Sequence, residues 1–364
     1  MCMFVFRYTD KFMKRFISFI VCCVVLFGCS KPSIEEAPES EFVNLSEEGY
    51  ANCYIVSKEG AYAFTPTRGN SGESVGEISS VEVLWESDGS DVVTTSNTLI
   101  RYLKYDGGQI TFKTPKSLVE GNLVIAAKNF RGTILWSWHI WITDRMTKQT
   151  YNNNAGNVMP RNLGAISGKA GEAGSLGLLY QWGRKDPFLG NMPEKVASNV
   201  TTGTVDFVVQ NPMTFVTANK NNNDWYYTGS VETDDTRWTD SSKMKSMYDP
   251  CPVGWRVPDG GKEGLWAKTT GTSVYFSDYP YDNDNGGMNF SNKFSTAGNV
   301  WYPAAGYIGH NDAVLYGAGS YGCYWTASSF GYAAYCLYFN ESGTVVPADF
   351  NSRACALSVR CVQE

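Results

Sequence analysis

Apolar and polar residues alternate with a period of two in the first third of the chain. Ile134 to Thr143 read ILWSWHIWIT, which puts Trp136, Trp138, Ile140 and Ile142 on one face, as in a strand packed on a core. Leu123 to Ala127 form a second apolar run. Glu59-Gly60, Asp106-Gly107-Gly108, Glu120-Gly121 and Arg131-Gly132 punctuate at strand-like spacing, so residues 49–145 are predicted to form a β-sandwich. Residues 146–160 are Asn-rich and carry no apolar period; they are expected to be a linker. Ser175 to Asp186 (SLGLLYQWGRKD) carry Leu176, Leu179 and Trp182 near one face and predict a short helix. Residues 192–240 are rich in Asn, Asp and Thr and are expected to be long loops.

The N-terminus has a different pattern. Lys11, Lys14 and Arg15 precede an apolar run from Phe16 to Gly28, the layout of a secretory signal and short for a membrane span. Residues 1–28 are therefore expected to be a signal peptide. Residues 29–48, rich in Ser, Pro and Glu, are expected to be a flexible tether.

Composition narrows the classes. The chain has 364 residues, 43% hydrophobic and 18% charged, which fits two ordinary globular domains. Its net charge is −6. Removing residues 1–28 takes away Arg7, Lys11, Lys14 and Arg15 but only one acid, Asp10, so the remainder is more acidic still. No basic stripe is present, which argues against nucleic acid as a partner.

Motifs for catalysis or cofactors are weak. Gly317 to Gly322 (GAGSYG) fit GxGxxG, but Tyr324 and Trp325 follow where a helix is needed, so the segment is read as a turn before a strand. Asp282, Asp284 and Gly286 resemble the start of a calcium loop, yet Lys293 stands where the bidentate Glu belongs. His139 and His310 form no metal-ligand spacing, and GxSxG is absent. No cofactor, metal site or catalytic residue is expected. After Cys2, Cys22 and Cys23 go with the signal, and Cys29 is set aside, Cys53, Cys251, Cys323, Cys336, Cys355 and Cys361 remain. Six cysteines allow about 15 pairings.

Several segments carry a resemblance. Leu26 to Cys29 (LFGC) resemble a bacterial lipobox, which implies lipidation of Cys29 and an outer-membrane, cell-surface location. Asp249 to Pro258 (DPCPVGWRVP), Trp301 to Gly306 (WYPAAG), Tyr324 to Ser328 (YWTAS) and Leu357 to Val362 (LSVRCV) resemble the C-type-lectin-like domains of secreted Bacteroidetes proteins, of the major paralogous domain type. Ala51 to Val56 and Gly132 to Asp144 resemble a leader module that precedes such domains, and Arg161 to Ala165 (RNLGA) resemble the opening strand of the second domain. The expected fold is an all-β immunoglobulin-like sandwich followed, over residues 161–364, by an α+β C-type-lectin-like domain. The resemblance implies a disulfide between Cys251 and Cys361, and a displayed binder of a protein or glycan ligand, not an enzyme. The alternatives are a fimbrial tip or structural adhesin subunit and, further off, an enzyme of the formylglycine-generating type, which needs two closely spaced reactive cysteines.

From Tyr316 to Tyr338 there are six of the chain's 22 tyrosines, interleaved with Ser, Gly and Ala, a mixture that also suits antibody paratopes. Tyr332 to Val362 resemble the variable region of proteins diversified by retroelements, in which randomised Asn codons cannot yield Lys, Gln, Met, Trp or Glu. In residues 326–356 Glu341 alone is of those types. On this reading Trp325, Leu337, Phe339 and Val359 form fixed, buried faces. Ser320, Tyr321, Cys323, Ser329, Phe330, Tyr332, Tyr335, Cys336, Tyr338, Asn340, Val345, Val346, Phe350, Asn351, Ser352 and Cys355 would project outward as ligand-binding positions.

Overall fold

The computed structural model describes residues 41–88, 98–190, 193–218, 223–229 and 233–364. The proposed signal, its lipidation site Cys29 and most of the tether lie outside the described residues. The chain is β-rich, with 38% strand against 8% helix. Among the described residues no helix is long and apolar enough to cross a membrane.

The first eight strands are β1 (Val43–Asn44), β2 (Cys53–Val56), β3 (Ala61–Phe64), β4 (Ser80–Ser87), β5 (Tyr102–Asp106), β6 (Gln109–Lys113), β7 (Gly121–Lys128) and β8 (Ile134–Ile142). They form two four-stranded sheets, ordered β1-β3-β6-β5 and β2-β8-β7-β4. One core joins the two sheets: Phe64, Ile110 and Phe112 from the first, and Leu123, Ile125, Trp136, Trp138, Ile140 and Ile142 from the second. The alternation read from Ile134 to Thr143 is therefore the alternation of the fold. The intervening Trp141 enters a different core, which it shares with Leu163, Tyr180, Trp182, Trp325 and Val359. The second sheet is thus buried on both faces, one against its own partner and one against the C-terminal half.

That shared core explains why residues 40–364 close into one compact unit. Polar groups add to the join. The Trp141 indole donates to the Ala165 carbonyl at 3.1 Å, and the Asn52 amide donates to the carbonyls of Met247 and Asp249. Lys185 and Asp186, both buried, form an ion pair at 2.7 Å and meet the Ser137 hydroxyl of β8 at 2.6 Å each. Buried charges of this kind persist because each is paired and hydrogen-bonded.

The expected linker is structured. β9 (Gln149–Tyr151) and β10 (Gly156–Val158) form a hairpin inside it. β10 pairs with the last strand, β24, through Val158 and Val362. Arg161 to Ala165 are a turn and not a strand: Gly164 has φ 83°, and the Leu163 N–H donates to the Val359 carbonyl. The expected helix over Ser175 to Asp186 is also absent. Gly177 and Gly183 sit at φ 73° and 80°, which breaks helical continuity, and β11 (Leu179–Gln181) lies between them, paired with Ala356 to Ser358. Residues 192–240 are less irregular than their composition suggested. They contain β12 (Lys195–Ser198), helices α1 (Asn199–Thr202) and α2 (Val205–Gln210), and β13 (Thr214–Thr217).

The rest comprises β14 (Trp255–Arg256), α3 (Leu265–Thr270), β15 (Tyr281–Asp282), β16 (Gly287–Asn289), β17 (Trp301–Pro303), β18 (Tyr307–Ile308), β19 (Leu315–Tyr316), β20 (Tyr321–Phe330), β21 (Ala333–Asn340), β22 (Val345–Ser352), β23 (Ala356–Ser358) and β24 (Val362–Gln363). The largest sheet runs β19-β18-β23-β20-β21-β22. Cys251 and Cys361 form a disulfide across a sequence separation of 110. It ties the segment before β14 to the segment before β24, which are themselves paired strands. GAGSYG is a turn with Gly317 and Gly319 in the left-handed region, leading into β20. Asp282 caps its own hairpin through Asn285. Among the described residues no group of His, Cys, Asp and Glu is arranged to hold a metal.

Candidate functional site

The three strands β20, β21 and β22 carry most of the residues expected to bind ligand. Their register places Cys323 opposite Tyr338, Trp325 opposite Cys336, and Cys336 opposite Asp349. Opposed residues share a face. One face holds Tyr324, Leu337, Phe339 and Val345 in a core with Trp266, Phe290 and Tyr302. The other holds Cys323, Trp325 and Cys336 in the core that reaches the sandwich, together with Cys355. Trp325, Leu337, Phe339 and Val359 are buried, as the sequence implied.

This two-sided burial corrects the expectation for five residues. Cys323, Cys336, Val345, Ser352 and Cys355 do not project outward; each is buried. The alternation around Leu337 and Phe339 does send Cys336 the opposite way, but into a second core and not into solvent. In a sheet with one open face a period of two separates inside from outside. Here it separates one core from another.

Exposure returns at the strand ends and on the outer strand. Phe330 is 44% exposed, Tyr332 54% and Phe350 53%. The Phe330 ring lies 4.7 Å from Phe350 and 5.0 Å from Tyr335, so three aromatic rings make one patch. Backbone holds it in place. A Cβ at Gly260 would stand 2.1 Å from the Thr326 hydroxyl and 2.7 Å from the Tyr335 Cβ. Thr326 donates to the Tyr335 carbonyl at 2.7 Å, and the Gly260 N–H donates to Ser328 Oγ at 2.9 Å. Glycine at 260 is thus what lets the loop after β14 close on the patch.

A second group sits on the thiol-bearing face. Tyr307 and Tyr316 rings are 5.7 Å apart, and Tyr321 and Tyr338 rings 6.0 Å. Tyr307, Tyr321 and Tyr338 pack partly buried against the core containing Cys323, Cys336 and Cys355. Cys355 Sγ lies 3.6 Å from His310 Nδ1 and 3.4 Å from Asn351 Oδ1. Tyr316 donates to Asp312 at 2.5 Å, and that bond holds the Asp312 carboxyl below its ordinary range. Asn340 donates to the Tyr338 hydroxyl at 3.2 Å, and Ser320 to Glu341 at 2.9 Å. Ser329, Val346 and Asn351 are half-buried.

Burial decides the chemistry of the thiols. It pushes Cys355 up to about 12 and raises Cys323 and Cys336 as well. Burial likewise raises the half-buried Asp349 and lowers His310. Protonated thiols are poor nucleophiles and poor metal ligands. The arrangement offers stiff aromatic area, hydroxyls and amides on a rigid sheet. Sequence reasoning missed Tyr307, Asp349 and the Gly260-Gly261 loop, and weighed His310 as a metal ligand alone. The paired glycines beside DPCPVGWRVP were the available signal for that loop. No known protein family, no curated protein and no solved structure matches this chain.

Proposed function

We propose that the chain is a cell-surface ligand-binding lipoprotein, lipidated at Cys29 and anchored to the outer membrane. In this reading the two four-stranded sheets are an immunoglobulin-like sandwich and the C-terminal half is a C-type-lectin-like domain that grips a protein or glycan. The observation that supports it best is the exposed ring cluster of Phe330, Tyr335 and Phe350 on a sheet fixed by two cores. Rigid aromatic anchors beside adaptable polar groups are what binding hot spots use. If retroelement diversification operates, it acts on the positions that have room: Ser320, Tyr321, Ser329, Phe330, Tyr332, Tyr335, Tyr338, Asn340, Val346, Phe350 and Asn351.

The test is a screen of glycan and protein arrays with the wild-type chain and a Phe330→Ser/Phe350→Ser variant. Capture by the wild type and its loss in a variant that still unfolds cooperatively supports the reading. Equal capture by both removes the patch as the binding face. Sequencing the stretch for residues 316–362 across a clonal population, with its flanking DNA, tests diversification: a nearby near-copy differing at template adenines supports it, and one fixed sequence without such a copy sinks it.

A further inference from the structure

The sandwich carries a second surface whose chemistry differs from the aromatic patch. A groove of about 740 Å³ is lined by Thr98, Arg101, Tyr102, Lys113, Lys116 and Val119, among others. Arg101, Lys113 and Lys116 are exposed. Among the described residues none of the three lies within ion-pair distance of a carboxylate. The nearest acids along the chain are Asp106, which already pairs with Lys104 at 2.7 Å, and Glu120, whose carboxylate accepts the Asp144 N–H at 3.0 Å. On a chain of net charge −6, three such cations in one groove are a local reversal of sign.

The groove also has apolar flanks. Tyr102 and Val119, both in its lining, are among the exposed large hydrophobic residues. Lys113 Nζ stands 5.6 Å from the Tyr102 ring centre and 5.7 Å from that of Phe42. Phe42 therefore places the groove at the end of the body where the chain continues toward Cys29. Fully extended, the backbone from Cys29 to Phe42 reaches at most about 45 Å. A lipid on Cys29 would keep this groove within about that reach of a bilayer.

We propose that the groove seats the sandwich on anionic membrane headgroups, with Arg101, Lys113 and Lys116 meeting lipid phosphates and Tyr102 and Val119 entering the interface. Cations flanked by aromatic and aliphatic side chains suit a headgroup layer, where both attractions act together. The proposal rests on the lipid-anchored reading above. Seating orients the molecule: one end of the body faces the bilayer, and the two anchor points, lipid and groove, act as linked sites.

The test uses the full chain with vesicles of phosphatidylcholine alone or mixed with phosphatidylglycerol, at low and high salt. Anchoring at Cys29 is read separately, by the mass of its acyl chains. The wild type is expected to prefer the anionic vesicles, and high salt to abolish the preference. Arg101→Gln/Lys113→Gln/Lys116→Gln is expected to lose the preference, at about fivefold per cation removed. Lys195→Gln/Lys262→Gln/Lys268→Gln, with the same change of charge elsewhere, is expected to keep it. A groove variant that still prefers anionic vesicles overturns the proposal, as does a wild type with no preference. Full displacement by millimolar inorganic phosphate overturns it in favour of a soluble anion. An unacylated Cys29 with the preference intact removes the anchor reading and leaves the groove.

Discussion

Phe330 and Phe350 belong to strands separated by β21, yet their rings approach to 4.7 Å at an interplanar angle of 37°. Tyr335, on the strand between, lies 5.0 Å from Phe330 and cross-strand from Phe350. Three consecutive strands thus contribute one ring each to a single exposed surface. Aromatic pairs in this geometry are favourable by about 1 kcal/mol beyond their burial. Both phenylalanines nonetheless remain about half exposed, which leaves them free to contact a ligand.

Truncating these rings should weaken binding in a chain that still folds. Phe330→Ala/Phe350→Ala is expected to lower unfolding free energy by about 2–3 kcal/mol, from the lost ring contact and the partial burial of two side chains, and to leave the chain folded. Loss of two anchors should weaken ligand capture by about thirtyfold or more. Denaturant titration and surface plasmon resonance on the same samples check both halves.

Gly260 should act on the patch through the loop that closes on it. Its Cβ position is already occupied by Thr326 and Tyr335. Gly260→Ala is expected to cost about 2 kcal/mol by overpacking and to displace Tyr335, so that stability and ligand capture fall together. Calorimetry with the binding assay tests the coupling.

Acid sensitivity should trace in part to His139. It is buried, its Nε2 meets Asn122 Oδ1 at 2.9 Å, and burial lowers its pKa from 6.5 to about 3. The unfolded chain takes up a proton that the fold refuses. The stability gained by keeping the ring neutral is complete above pH 6.5 and is lost as the pH falls from 6.5 toward 3, by about 2 kcal/mol at pH 5. Asp249 runs the other way: burial raises it from 3.8 to about 6, so its contribution weakens as the pH rises across that interval. The difference between wild type and His139→Gln, measured by denaturant unfolding from pH 7 to 4, isolates the histidine. A pH-independent difference would contradict the assignment.

The cysteines should divide into two chemical classes. Cys53, Cys323, Cys336 and Cys355 are free and buried and are expected to resist alkylation at pH 8 until the chain is denatured. Cys251→Ser/Cys361→Ser removes a crosslink closing a loop of 110 residues and is expected to cost about 4 kcal/mol. Mass spectrometry after iodoacetamide and thermal melting measure these outcomes.

The sequence made the local patterns visible and hid the tertiary ones. Trp136, Trp138, Ile140 and Ile142 announced their shared face because a period of two survives in one strand. The disulfide followed from a resemblance that the structure matches in that pairing. The second covering of β20 to β22 left no such mark: Cys323, Cys336 and Val345 look like candidates for solvent until distant segments such as Leu163 and Phe290 are brought over them. Leu176, Leu179 and Trp182 imitated a helical stripe, and Gly177 and Gly183 ended it. The basic groove escaped notice because Arg101, Lys113 and Lys116 are scattered in sequence and gathered only by strand pairing and the turn after β6.

Hydroxyl-radical footprinting of the chain with an array-captured ligand tests the binding face most directly. The account predicts protection of Phe330, Tyr332, Tyr335 and Phe350, with the rest of the described body unchanged. Protection confined to the sandwich strands, or none on β20 to β22, would contradict it.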